Sequence, residues 1–136
     1  MAAEKLFENK LKRWLETLGI YPLGTPKQKM NAEPIGYYEK RWGGGYTKSG
    51  LPDLHIVVNG KSVDVEIKAP NGRPSELQLF TIRQINDSLG LAFVLYQTIE
   101  CVKKFKSWRD RTFPEYFDVD ALDEIQFKKL IERLSK

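Results

Sequence analysis

Residues 52–68 read Pro52-Asp53-Leu54-His55-Ile56-Val57-Val58-Asn59-Gly60-Lys61-Ser62-Val63-Asp64-Val65-Glu66-Ile67-Lys68. Two β-prone runs, Leu54–Val58 and Lys61–Lys68, flank Asn59-Gly60. Asn-Gly between such runs is a strong hairpin signal, because both central residues of the tight turn need positive φ. A two-residue turn also fixes the register. Val58 then faces Lys61, His55 faces Asp64 and Asp53 faces Glu66. Side chains alternate along a strand, so Asp53, His55, Asp64, Glu66 and Lys68 share one face. Leu54, Ile56, Val58, Val63, Val65 and Ile67 share the other, which must pack on a core.

Outward from the hairpin, the punctuation of the chain predicts the remaining elements. Leu6/Phe7, Leu11, Trp14/Leu15 and Leu18 recur at helical spacing, so residues 4–18 read as an amphipathic helix stopped by Gly19. Residues 20–50 are broken by Tyr21-Pro22, Gly24, Pro26, Pro34 and Gly43-Gly44-Gly45, with room for one or two short strands around Ile35, Tyr37 and Trp42. Ser75 caps a helix that runs to about Leu89 and is ended by Gly90, and Leu91–Tyr96 reads as a buried strand. Thr98 and Asp120 are placed to cap two further helices, reaching about Arg109 and Leu134. This order predicts an α/β domain with a central mixed sheet flanked by helices, in the order αβββαβ, with extra C-terminal helices. Residues 1–96 form the expected core, and 97–136 a helical extension packed on the same domain.

Composition narrows the class without choosing a function. The 136 residues suit one domain, with 41% hydrophobic and 29% charged residues. No apolar run is long enough to span a bilayer, and the charged N-terminus has no signal-peptide pattern. One cysteine, Cys101, excludes an internal disulfide and a Cys-cluster metal site. The expectation is the cytoplasm of a bacterial or phage-infected cell, with no membrane partner. The net charge is +4. It arises in residues 1–50, which hold nine Lys/Arg against five Asp/Glu, whereas residues 51–136 hold thirteen of each. Residues 103–111 form a basic stretch that reads either as solvated surface or as a phosphate contact.

The polar face of the hairpin carries the chemistry. Directly opposed residues have Cβ atoms only ~4.5–5.5 Å apart, and like charges there destabilise a sheet. Two carboxylates so close share a proton or share a cation. A hard divalent ion, Mg²⁺ or Mn²⁺, suits oxygen ligands. Phosphodiester hydrolysis needs activated water and relief of charge on the phosphorane, which a carboxylate-held metal and a nearby ammonium group supply. Asp53 and Glu66 are therefore candidate metal ligands, with the Ile67 carbonyl as a further one, and Lys68 is the candidate catalytic cation. A bland alternative has Asp53 capping a turn and Glu66 and Lys68 in a surface ladder.

Gly50-Leu51-Pro52-Asp53-Leu54, then Glu66-Ile67-Lys68, then Gln78 in the next helix, resembles the PD-(D/E)XK nuclease superfamily. The closest resemblance is to the viral-type replication-repair nuclease (VRR-NUC) group and the archaeal-type Holliday-junction resolvases. It covers roughly residues 4–96, while 97–136 match no pattern of that family. The resemblance implies a restriction-endonuclease-like core and an Mg²⁺- or Mn²⁺-dependent endodeoxyribonuclease of replication, repair or recombination. Its implied substrate is duplex or branched DNA, cut at junctions, flaps or nicks by a homodimer. It also implies that a first-helix glutamate completes the metal site. Glu8 fits best, ahead of Glu4 and Glu16, although Glu8 can equally pair with Lys12. The resemblance gives Gln78 a place in the catalytic site, while Ser75-Glu76-Leu77-Gln78 is also a capping box that would occupy the same side chain.

Further candidates come from position alone. Lys48 and Ser49 are candidate phosphate contacts, and Lys27, Lys29 and Tyr46 further candidates for touching nucleic acid. His55, facing Asp64, reads as a supporting residue or a phosphate contact. Trp14 reads as core, with Trp42 and Trp108 open. A non-catalytic nucleic-acid- or protein-binding module on a nuclease fold is the alternative function. A sequence-specific restriction enzyme ranks lower, because the chain is short for a separate recognition domain.

Overall fold

A computed structural model describes residues 2–41 and 50–136. In chain order its elements are α1 (Ala2–Thr17), β1 (Ile20–Pro22), β2 (Gly36–Lys40), β3 (Leu54–Val58), β4 (Lys61–Ile67), α2 (Glu76–Asp87), β5 (Ala92–Leu95), α3 (Ile99–Thr112), β6 (Ala121–Leu122) and α4 (Glu124–Leu134). Short 3-10 turns lie at Lys27–Lys29 and Pro114–Tyr116. The strands form one six-stranded sheet in sequential order, β1 to β6. Its two central junctions, β2–β3 and β3–β4, are antiparallel, and the outer ones are parallel. The result is an α/β fold with a mixed sheet flanked by helices.

The hairpin has the expected register: Leu54 faces Val65, His55 faces Asp64 and Val58 faces Lys61. Asn59 and Gly60 both take positive φ, 49° and 80°, as the turn demands. The apolar face of the hairpin, from Leu54 to Ile67, packs beneath α1 and α4 through Phe7, Leu11, Leu15, Phe127 and Ile131. The opposite face is covered by α2 and α3, where Leu79, Ile82, Val102 and Phe105 meet Val94, Tyr96 and Ala121. Trp14 packs against Phe127, and Trp108 against Phe105 and Phe113. Trp42 lies outside the described residues.

Four elements differ from expectation. The sheet contains β1, which makes the opening order αββββαβ. Tyr21-Pro22 reads as a breaker, but proline is tolerated in an edge strand, and β1 is that edge. The sheet also gains β6, whose two residues are too few to show a period. The last helix is capped by Asp123, in a capping box with Gln126, and Asp120 instead precedes β6. Gly90 is not the left-handed residue that ends α2. Leu89 takes that role at φ 65°, and Gly90 donates back to the Ile85 carbonyl where a Cβ would collide with the Ile85 side chain. Among the described residues no helix is long and apolar enough to cross a membrane.

Residues 97–136 thus add a strand to the sheet and a helix to its core. Phe127 is fully buried between Trp14 and Phe93. Phe127→Ala is expected to cost about 3–5 kcal/mol, measured by urea unfolding. A cost below about 1 kcal/mol would mean that α4 is only an appendage.

Candidate active site

The antiparallel and parallel pairings bring the end of β2, the start of β3 and the ends of β4 and β5 to one end of the sheet. Asp53 and Glu66 meet there. Gly50, at φ 91°, lets the Leu51-Pro52 segment lie directly against α2, where a Cβ would stand 2.6 Å from Leu77 Cγ. Asp53 just precedes β3, and its Oδ2 accepts the Ile67 N–H at 3.0 Å. This bond extends the hairpin by a side chain where the ladder stops, and it fixes the carboxylate beside Glu66.

Glu66 is 1% exposed. Its Oε2 accepts from Gln78 Nε2 at 3.0 Å and faces Lys68 Nζ at 3.3 Å. Its Oε1 is buried and, among the described residues, has no hydrogen-bond partner. Burial and the neighbouring Asp53 carboxylate push the Glu66 carboxyl up to about 8, against the pull of Lys68. At neutral pH the couple therefore holds a proton. An orphaned, buried carboxylate oxygen beside a second carboxylate is the donor set that a hard cation needs, so the residues fit a divalent metal. Glu66 and Asp53 would hold it, with the Ile67 carbonyl available next in the chain.

Gln78 resolves the competition between its two readings by using both ends of its amide. Its Oε1 accepts the Ser75 N–H at 2.8 Å, closing the capping box, while its Nε2 donates to Glu66. The cap therefore orients the donor. His55 and Asp64 form a neighbouring pair: His55 Nδ1 lies 2.8 Å from Asp64 Oδ1, which also receives Arg41 Nη1 at 2.9 Å. A groove of about 610 Å³ runs beside this pair, walled by Leu51, Leu77, Phe80 and Gln84. A larger cleft of about 970 Å³, between α4 and the β5–β6 edge, contains none of the predicted site residues.

Glu8 is not brought to the couple. It is buried, as expected of a residue facing inward, but Lys40 Nζ contacts its Oε1 at 2.6 Å and Lys12 Nζ its Oε2 at 2.7 Å. Burial pushes the Glu8 carboxyl up, and the two lysines outweigh it, holding the group below the usual carboxylate range. Among the described residues no cluster of three or more His, Cys, Asp or Glu side chains could hold a metal. Lys27 and Lys29 sit exposed on the 3-10 turn that follows β1. Tyr46, Lys48 and Ser49 lie outside the described residues.

Sequence reasoning missed Arg41 and Lys40. Their places depend on the β2–β3 pairing, which sets Lys40 against Leu54 across a long connection. No local signal predicts that register, whereas Asn59-Gly60 predicts the one beside it. No protein-family model, curated protein or solved structure matches the chain.

The raised Glu66 carboxyl has a signed consequence for stability. Between the ordinary value of 4.5 and about 8 the folded chain binds more protons than the unfolded one, so stability falls as pH rises through that window. Glu66→Gln keeps a neutral group of the same shape. In EDTA, its melting temperature should match wild type at about pH 4 and exceed it by a margin that grows up to about pH 8. Parallel pH profiles for the two proteins would show that Glu66 is not the titrating group.

Proposed function

We propose that this chain is an Mg²⁺- or Mn²⁺-dependent endonuclease that hydrolyses phosphodiester bonds in DNA, on a restriction-endonuclease-like core. The observation that carries the reading is Glu66: a buried carboxylate, set against Asp53 and Lys68, with one oxygen left without a hydrogen-bond partner among the described residues. A buried polar atom left unpaired costs about 1–3 kcal/mol, more when charged. What separates this oxygen from the unbonded oxygen of Glu8, which two lysines neutralise, is that its neighbour is a second carboxylate, the arrangement a metal site needs.

A bound divalent ion supplies a Lewis acid for the phosphoryl oxygen and acidifies water at neutral pH. The residues of the chain do the rest. Asp53 is aimed by the Ile67 N–H, and Glu66 by Gln78, so both carboxylates are positioned before substrate arrives. Lys68, held at the Glu66 carboxylate, presents its ammonium group to the charge that grows on the scissile phosphate. His55, oriented by Asp64, stands on the same face and can donate to a neighbouring phosphate. A structure-selective substrate (junction, flap or nick) and a homodimer belong to this proposal through the sequence resemblance alone.

The test is cleavage of labelled junction, flap, nicked, duplex and single-stranded DNA with Mg²⁺, Mn²⁺ or EDTA. Cleavage is expected with either metal, none in EDTA, and losses of about 10²-fold or more in kcat for Glu66→Ala and Lys68→Ala. Gln78→Ala is expected to lose less, because it acts through Glu66. Full activity in Glu66→Ala would exclude the site.

A further inference from the structure

The basic stretch 103–111 is sorted by the fold into two kinds of cation. Lys106 pairs with Asp120 at 3.3 Å, and Arg109 is buried, bonding the Val119 carbonyl and Asp110. Lys103, Lys104 and Arg111 are exposed on α3 and have no acidic partner among the described residues. With Ser107 between them at helical spacing, they line a cleft of about 390 Å³ that Arg73 closes from the other side.

Arg73 is held there by neutral groups. Its Nη1 bonds the Gly72 carbonyl at 2.8 Å and Tyr96 Oη at 3.3 Å, and its guanidinium lies over the Tyr96 and Trp108 rings. Among the described residues no carboxylate pairs with it. Gly72 ties this cleft to the active site: its backbone lies against Lys68, where a Cβ would stand 3.4 Å from Lys68 Cδ. The turn that leaves Glu66-Ile67-Lys68 therefore leads directly into the basic cleft.

We propose that Arg73, Lys103, Lys104, Ser107 and Arg111 form a track for the phosphate backbone of duplex DNA leading to the Asp53–Glu66–Lys68 site. The choice of substrate rests on the nuclease reading above. The α3 face from Lys103 to Arg111 extends about 12 Å at 1.5 Å per residue, long enough to lie along more than one phosphate of a strand, of which a duplex presents one per ~3.4 Å of its axis. Among the described residues no aromatic side chain lines the cleft, and the Tyr96 and Trp108 rings beside it are taken by the Arg73 guanidinium, so it offers charge and a hydroxyl but no open platform for stacked bases. This favours the backbone of a duplex over an unpaired strand. The track lies in the segment beyond the hairpin core, which gives α3 a role in holding substrate as well as covering the sheet.

Binding of labelled duplex is measured in EDTA at salt from about 50 to 200 mM, and cleavage is measured with Mn²⁺. The variant Lys103→Gln/Lys104→Gln/Arg111→Gln is compared with a charge-matched variant of exposed residues on the hairpin tip and α4, Lys61→Gln/Lys129→Gln/Arg133→Gln. Thermal melts establish that both remain folded. The cleft variant is expected to bind about tenfold or more weakly, to flatten the slope of log affinity against log salt by about 2–3, and to raise KM with little change in kcat. The control should keep the wild-type slope. An unchanged slope in the cleft variant, or an equal loss in both, overturns the track. Tighter binding of single strands than duplex overturns the choice of duplex. If the slopes differ as expected but no DNA is cleaved with either metal, the nuclease reading fails and the track stands as a binding surface.

Discussion

Everything at this end of the sheet depends on burying the Glu66 carboxylate beside a second carboxylate. A charge in the interior costs several kcal/mol unless it is paired and hydrogen-bonded. The chain meets part of that cost with Gln78 and Lys68 on one oxygen of Glu66, and among the described residues nothing bonds the other. Asp53 cannot relieve the strain by turning away, because the Ile67 N–H holds it. The couple accordingly retains a proton near neutral pH, and any cation that enters must displace it.

The support for this couple comes from elements whose own stability does not depend on it. The capping box at Ser75 starts α2 and, by occupying the Gln78 carbonyl oxygen, turns the Gln78 amide nitrogen toward Glu66. Leu79 and Ile82 anchor the same helix in the core between the sheet and α3. Gly50 brings the segment before Asp53 against Leu77. A distortion of α2 would thus move the Asp53 segment and the Glu66 donor together. Glu8 belongs to a separate arrangement on the other side of the sheet, where α1 and β2 surround it with Lys12 and Lys40 in close contact and Lys5 at 3.9 Å.

The last 40 residues earn their place twice. β6 extends the sheet beyond β5, and α4 completes the layer begun by α1, so Phe127 and Ile131 share one core with the hairpin. On the other layer, α3 buries Cys101, Val102 and Phe105 and turns Lys103, Lys104 and Arg111 outward. A single amphipathic helix can serve core and surface because its two faces are independent.

The sequence by itself determined whatever rests on neighbours in the chain. Asn59-Gly60 can only be a tight turn, the turn fixes the register, and the register sets His55 against Asp64 and aligns Asp53 with Glu66. The caps at Ser75 and Thr98 and the helical spacing of Phe7, Leu11 and Leu15 were legible for the same reason, since each signal lies within a few residues of its effect. Tertiary structure alone decided contacts between distant segments. β1 and β6 are too short to carry a period, and only their place beside β2 and β5 makes them strands. Glu8 had several cations within its reach, and the β2–β3 pairing delivered Lys40 to it. The empty oxygen of Glu66 and the meeting of Arg73 with α3 likewise appear only once the chain has packed. Spacing in sequence states which residues share a face, and long-range packing decides what that face meets.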